Sequence, residues 1–355
     1  MNVLTIVGAR PQFVKASVVS AILRQRCDEY LVHTGQHYDH NMSQLFFDEM
    51  KIPRPDLNLN IGSGPHGEQT AKMLIGLEKV MLDVRPDVVL IYGDTNSTLA
   101  GAIVAGKLNI PVAHVEAGLR SFNRRMPEEI NRLLADRISD RLFCPTQTAV
   151  DHLQKEGITE GVYLTGDVMF DAALHFSCLA EEKGNVLQSL GLEANSYVLA
   201  TCHRPQNTDD RQAFTQIIEA MIESKEEIVF PVHPRSIGFI QLYRLADSIE
   251  RAKNIHLIDP VGYLEMIQLE KNAKKILTDS GGVQKEAYFF KVPCITMRRE
   301  TEWIETVIDG WNILAGSDKD KIKQALNEFT PADVQRNHYG DGHASERIVD
   351  LLCNV

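Results

Sequence analysis

The chain of 355 residues predicts an α/β architecture of two doubly wound domains. Three observations carry this. Strand-like and helix-like segments alternate from the first residues. Several strand candidates, such as VVLIY and IVFPV, are unbroken apolar runs, the pattern of strands buried on both faces of a parallel sheet. The alternation then occurs a second time after a polar seam near residues 165–196, and the length suits two domains of ordinary size.

In order, the first series of expected strands is Val3–Val7, Glu29–Thr34, Val88–Tyr92, Val112–Val115, Arg141–Cys144 and Val162–Thr165. The second is Tyr197–Thr201, Ile228–Val232, Ile255–Ile258, Lys275–Thr278, Cys294–Met297 and Asn312–Leu314. Helix-length segments lie between them, among them Ser97–Lys107 and Pro127–Asp140. The tail after Asn337 has turn residues and then one amphipathic helix.

Composition narrows the class. Apolar residues make up 44% and charged residues 24%, the profile of a soluble globular protein. A net charge of −11 disfavours nucleic acid and anionic membrane as partners. No apolar run approaches the roughly 20 residues that span a bilayer. The start, MNVLTIVGARPQF, has no basic segment before its apolar run, so no signal peptide is expected there. The six cysteines (27, 144, 178, 202, 294 and 353) are scattered without a CxxC pair, which points to a reduced, cytoplasmic protein without a zinc ribbon.

Ligands of open α/β sheets sit beyond the carboxyl ends of the strands. The residues there are GARPQFVK, with Gly8, Arg10 and Lys15; GDTNST, with Asp94; Glu116, followed by AGLRS; and, after a loop, MPEEINR with Glu128 and Glu129. In the second half they are HRPQNTDD, with His203 and Arg204; HPRS, with His233 and Arg235; PVGYLEM; TDSGGVQKE; and MRRETEW, with Arg298. An acidic chain thus collects cations at equivalent points of both halves, which favours a ligand over the general polarity of loops. Cations, helix N-termini and Gly-rich turns together suit a phosphorylated ligand held in a cleft between facing domains. Asp94, Glu116, Glu128, Asp279 and Glu286 lie among these cations. They would repel phosphate and fit better as hydroxyl acceptors or acid–base groups, although helix capping and arginine pairing also account for such carboxylates.

Other signals carry less. Gly62, Gly64 and Gly67 have GxGxxG spacing but follow no clear buried strand, and Pro65 interrupts them, so no dinucleotide is expected. There is no P-loop. His33, His37 and His40 are broken by Gly35 and lack the helical spacing of a metal pair, and there is no HExxH, so neither a metal nor another cofactor is expected.

Taken in order, GARPQFVK, YGDTNSTLAG, HVEAGLRS, MPEEINR, CHR, PVHPR, IDPVGYLEM, LTDSGGVQKEA and YGDGHAS resemble the motifs of the non-hydrolysing UDP-N-acetylglucosamine 2-epimerases over nearly the whole chain. The resemblance implies two Rossmann-like domains facing across a cleft in the GT-B arrangement, 1–167 and 168–337, with a C-terminal helix in 338–355 packing back on the first. It implies inversion at C2 of a UDP-2-acetamido sugar by elimination of UDP to a 2-acetamidoglycal and re-addition. By the same resemblance Asp94, Glu116, Glu128 and His203 are the catalytic residues. Arg10, Lys15, His203, Arg204, His233, Met266, Ser280, Gly281, Gly282 and Glu286 serve the nucleotide sugar, with Ser280 and Gly281 at the diphosphate and Glu286 at the ribose. The family is commonly dimeric, so a homodimer is expected.

The chain also departs from the common pattern. TEWIE stands where the UDP-GlcNAc enzymes have TERPE, so Trp303 replaces an arginine. Val261 and Met266 replace a glutamine and a phenylalanine near the uracil. GQHYDHNMSQLF lacks the pattern of enzymes activated by a second UDP-GlcNAc. TEW, GARPQF, RMPEEINR and SGGVQKEAYFF are more similar to the branch acting on UDP-2,3-diacetamido-2,3-dideoxy-glucuronate for surface polysaccharide. Trp303, Arg299 and Arg125, with Arg124, are then the candidates for recognising that substrate. UDP-GlcNAc epimerisation is the alternative, followed by a GT-B glycosyltransferase and a hydrolysing epimerase.

Overall fold

The computed structural model describes residues 1–36 and 52–353. His37 and His40, with the rest of the GQHYDHNMSQLF segment beyond Gln36, lie outside the described residues. The chain forms two compact units, one of Met1–His175 with Asn337–Val355 and one of Phe176–Arg336. The division falls inside a helix, Val168–Lys183, rather than at its start.

Among the described residues the first unit has seven strands: β1 (Asn2–Val7), β2 (Asp28–His33), β3 (Leu57–Asn58), β4 (Val88–Tyr92), β5 (Val112–Val115), β6 (Arg141–Cys144) and β7 (Val162–Leu164). They pair in the order β3-β2-β1-β4-β5-β6-β7, and every pairing is parallel. All five residues of β4 are buried, because helices cover both faces of the sheet. Alternate residues Leu4, Ile6, Val89 and Ile91 pack with Met73 and Leu77 of helix His66–Val84 and Ala100 of helix Asn96–Lys107. The C-terminal helix, Ala344–Cys353, packs on helix Arg10–Leu23 of this unit. Ile348, Val349 and Leu352 are its buried stripe, and the Asp171 carboxylate accepts from Ala344 N at 3.2 Å and Ser345 N at 2.7 Å to cap it.

The second unit has six strands: β8 (Val198–Thr201), β9 (Ile228–Pro231), β10 (Ile255–Ile258), β11 (Lys275–Thr278), β12 (Cys294–Thr296) and β13 (Asn312–Leu314). Their order is β10-β9-β8-β11-β12-β13, again parallel throughout. Val198, Ala200, Phe230 and Leu277 face a core with Phe214, Ile217, Ile322 and Leu326. The alternate residues Leu199, Val229 and Ile276 face a second core with Leu269, Val283 and Ala287.

The strand expectations hold within a residue or two at each end. The strand not anticipated is β3, a two-residue edge piece pairing with Val32 and His33, too short and too exposed to leave a hydrophobic pattern. It supplies a strand ahead of the Gly62–Gly67 turn, where none was expected, but not a buried one.

Candidate active-site residues at two sheet edges

Each sheet reverses its winding once, between β1 and β4 in the first unit and between β8 and β11 in the second. Helices leave to opposite sides there, so the strand ends open into a crevice.

In the first unit Gln12 ties the two sides of that crevice together. Its Oε1 accepts from Gly8 N at 2.7 Å and Ala9 N at 3.1 Å, and its Nε2 donates to Tyr92 O at 2.6 Å and to Thr95 and Thr98 Oγ1 at 3.0 Å. Lys15, one turn into the same helix, forms a largely buried ion pair with Glu116 at the end of β5. Glu116 is held at φ +69°, a left-handed conformation that costs a non-glycine residue on the order of 1 kcal/mol or more and recurs at functional positions. Gly93 takes φ +59° beside it, and a Cβ there would stand 3.3 Å from Glu116 Oε2 and 3.9 Å from Lys15 Nζ. A side chain at position 93 would meet both strain and the ion pair.

Asp94 lies next along the chain, half-exposed and paired with the buried Arg132 guanidinium. Of the two acidic residues opening helix Pro127–Ile138, Glu128 is exposed and Glu129 is buried. Glu129 accepts from Ser121 N and Oγ at 2.9 Å, Phe122 N at 3.0 Å and Arg132 Nη1 at 2.9 Å. Burial raises its carboxyl, but the Ser121 and Arg132 bonds more than offset that and hold it below the usual range. Glu129 therefore organises the loop, while Glu128 keeps a carboxylate open to solvent. Arg10 opens its helix with a partly exposed side chain.

Behind this edge lies a buried polar cluster to which HVEAGLRS supplies His114, Gly118 and Arg120, while Asp136, at its centre, stood in none of the motifs. His114 faces Asp136 Oδ1 at 2.7 Å through Nδ1 and the Gly93 carbonyl at 2.7 Å through Nε2. Asp136 also accepts from Gly118 N at 3.1 Å and Arg120 Nη1 at 2.7 Å. Complete burial raises the Asp136 carboxyl, yet the bonds from His114 and Arg120 outweigh it and keep the group below its ordinary value. The cluster fixes the peptide that precedes Asp94.

In the second unit the organising group is Asp279, fully buried at the end of β11. It accepts from His203 N at 3.1 Å, Arg204 N at 3.0 Å and Asn207 Nδ2 at 3.0 Å. Its oxygens are spent on holding the loop after β8, so it is neither a hydroxyl acceptor nor an acid–base group for a ligand. Ser280 caps helix Gly281–Phe289, its Oγ accepting from Val283 N at 3.4 Å. Around the first turn of that helix three donors converge. A Cβ on Gly281 would lie 3.5 Å from Trp303 Nε1, 3.7 Å from Arg204 Nη2 and 3.9 Å from Arg298 Nη1. A helix N-terminus with two guanidiniums and an indole N–H is a site for an anion. Gly282 is exposed in the same turn.

Arg298 is oriented by two bonds to Glu302, at 2.9 and 3.0 Å, which bring the Glu302 carboxyl below its usual value against the rise from burial. Trp303 is buried, with the Lys285 ammonium over its ring at 3.9 Å from the centroid. Glu286, one residue on, accepts from Tyr263 Oη at 2.8 Å.

Other predicted residues stand further from this cluster. His233 caps helix Pro234–Leu242 by accepting from Arg235 N at 3.1 Å, and its ring lies 5.6 Å from that of His203. Arg235 is engaged by Asp209 at 2.5 and 2.7 Å, so it is a loop tie rather than an open cation. Met266 and Val261 pack half-buried against the second core of this unit. Arg299 is exposed, its stem near Gly316, and Arg124 and Arg125 are exposed on the loop before Pro127. Among the described residues no group of His, Cys, Asp or Glu is placed to hold a metal ion, and no helix is long and apolar enough to cross a membrane.

Carboxylates held by Lys15 and Arg132 at one sheet edge and a helix-borne anion site at another are features of a doubly wound α/β enzyme. The chain belongs to the UDP-N-acetylglucosamine 2-epimerase family: the family's model matches residues 21–353. A "UDP-N-acetylglucosamine 2-epimerase homolog" of Methanococcus maripaludis is 56% identical over the full length of both chains. A UDP-2,3-diacetamido-2,3-dideoxy-D-glucuronate 2-epimerase of Pseudomonas aeruginosa is 50% identical, also over the whole of both. The solved UDP-GlcNAc 2-epimerase of Methanocaldococcus jannaschii, in complex with UDP-GlcNAc and UDP, superposes with a TM-score of 0.91 at 47% identity, covering all of each chain. The protein is accordingly an isomerase.

Proposed function

We propose that the protein inverts C2 of a UDP-2-acetamido sugar without hydrolysing it, and that the sugar is 2,3-diacetamido-2,3-dideoxy-glucuronate. The C2 hydrogen is not acidic enough for simple deprotonation. A base takes it while the C1–O bond breaks, the C2–H electron pair becomes the C1=C2 double bond, and UDP leaves with the C1–O pair. The return step delivers a proton to the other face of C2 and UDP oxygen to C1. Asp94, Glu116 and Glu128 are the proton-transfer candidates, with base and acid unassigned between them. Lys15 and Arg10 attend the sugar and its leaving group. His203, Arg204, Arg298 and the turn at Ser280 and Gly281 hold the diphosphate through both steps. Glu286 takes the ribose hydroxyls.

The observation that carries the substrate assignment is Trp303, buried against the anion turn with its N–H toward Gly281 and Lys285 across its ring. In the common UDP-GlcNAc pattern an arginine stands there. The relative at 50% identity named for the diacetamido-glucuronate supports the same reading. UDP-GlcNAc is the second reading, supported by the 47%-identical epimerase solved with it.

Incubation in D2O with each UDP-sugar separately, followed by NMR, tests both. Deuterium at C2 and a manno product from the uronate alone is the expected result; exchange with UDP-GlcNAc alone would transfer the assignment to the common branch. Asp94→Asn is expected to lower turnover by about 10²–10⁴ with UDP affinity retained by calorimetry. Normal turnover in that variant would remove Asp94 from the mechanism.

A further inference from the structure

The helix that precedes β11, Tyr263–Lys271, ends near a carboxyl that the mechanism does not use. Glu270 is completely buried, and neither of its oxygens has a hydrogen-bond donor among the described residues. The polar group that reaches it is another carboxyl, Glu286, itself only 4% exposed. A buried carboxylate with no donor, set against a second carboxylate, cannot remain ionised; one proton must be shared between the two.

The surroundings agree. Glu286 already accepts from Tyr263 Oη on one side. Among the described residues Tyr197 and Cys294 also feel the Glu270 charge, and Tyr197 donates its hydroxyl to the Leu269 carbonyl. The nearby helix Val186–Leu190 brings no titratable side chain. Lys285, on the helix of Glu286, lies over Trp303.

We propose that Glu270 is a neutral carboxylic acid whose proton is donated to Glu286, and that it is a positioning residue. With Tyr263 it fixes the Glu286 carboxylate to receive the ribose hydroxyls of a nucleoside diphosphate. This rests on the ribose reading of Glu286 given above. Burial and the neighbouring Glu286 together push the Glu270 carboxyl well above its ordinary value, consistent with a proton retained at neutral pH. Above about pH 4.3 the unfolded chain gives up this proton and the folded protein keeps it, so the group costs stability increasingly as pH rises from there.

The test uses three variants of the full chain and two probes, UDP and its 2′,3′-dideoxy analogue. Glu270→Gln keeps a neutral donor and is expected to bind UDP within about twofold of wild type. Its Tm should exceed the wild-type value near pH 7 and converge with it towards pH 4. Glu270→Met fills the volume without a donor and is expected to weaken UDP about tenfold while leaving the dideoxy analogue nearly unaffected. Equal losses for both probes in Glu270→Met, or none, would overturn the positioning role. A constant Tm difference for Glu270→Gln across pH would overturn the shared proton. Glu286→Gln separates the two readings: unchanged UDP binding there would sink the ribose assignment of Glu286, whereas the pH course of Glu270→Gln would still decide where the proton sits.

Discussion

Glu116 and Asp136 mark two kinds of carboxylate at one sheet edge. Glu116 occupies a strained backbone conformation beside a lysine, whereas Asp136 is sealed behind it by Arg120 and His114. The second kind makes a testable contribution to stability. Because its folded value lies below the unfolded one of about 3.9, that contribution is complete above pH 4 and is lost as pH falls through the folded value. Urea unfolding should show wild type weakening below about pH 4, and Asp136→Asn about 3 kcal/mol less stable at pH 7 with a flatter acid limb. An unchanged midpoint in that variant would contradict the cluster's role. Positions just beyond the strands were legible in the sequence, as with Asp94, His203 and Ser280. Partnership was not. Glu128 and Glu129 are adjacent and alike in letters, and only the turn at Ser121 decides which is buried. Asp279 reads like a ligand residue until the amides of His203 and Arg204 are seen to consume it.

At the scale of elements, strand–helix alternation exposed twelve of the thirteen strands among the described residues because apolar runs between polar turns survive in one dimension. The omission, Leu57–Asn58, gains its strand character from pairing with β2 alone. The helix Ala344–Cys353 is the element whose removal should matter most for its length. Its stripe of Ile348, Val349 and Leu352 is wholly buried, and its start is held by Asp171. Leu352→Ala should destabilise the first unit by about 2–5 kcal/mol, read by chemical denaturation. A cost under about 1 kcal/mol would mean that the helix is not docked as described.

For the whole molecule, each unit has its own sheet and cores, and the anion turn belongs to a contiguous segment. A fragment of residues 168–336 should therefore fold alone and bind UDP, though more weakly than the full chain. Residues 1–175 without the C-terminal helix should not hold a cooperative fold. Circular dichroism melts and UDP calorimetry on the two fragments check both statements, and an unfolded 168–336 fragment would refute the first.

That discontinuity also orders events during synthesis. A ribosome emits the first unit's sheet early, then all of the second unit, and only after it the ten residues Ala344–Cys353 that complete the first. The second unit can close while translation continues. The first must wait, its docking groove along Arg10–Leu23 uncovered, until Ala344–Cys353 has left the exit tunnel. Stalled or truncated chains would leave that groove open, so quality-control chaperones and proteases would find their target in the earliest-made half of the molecule.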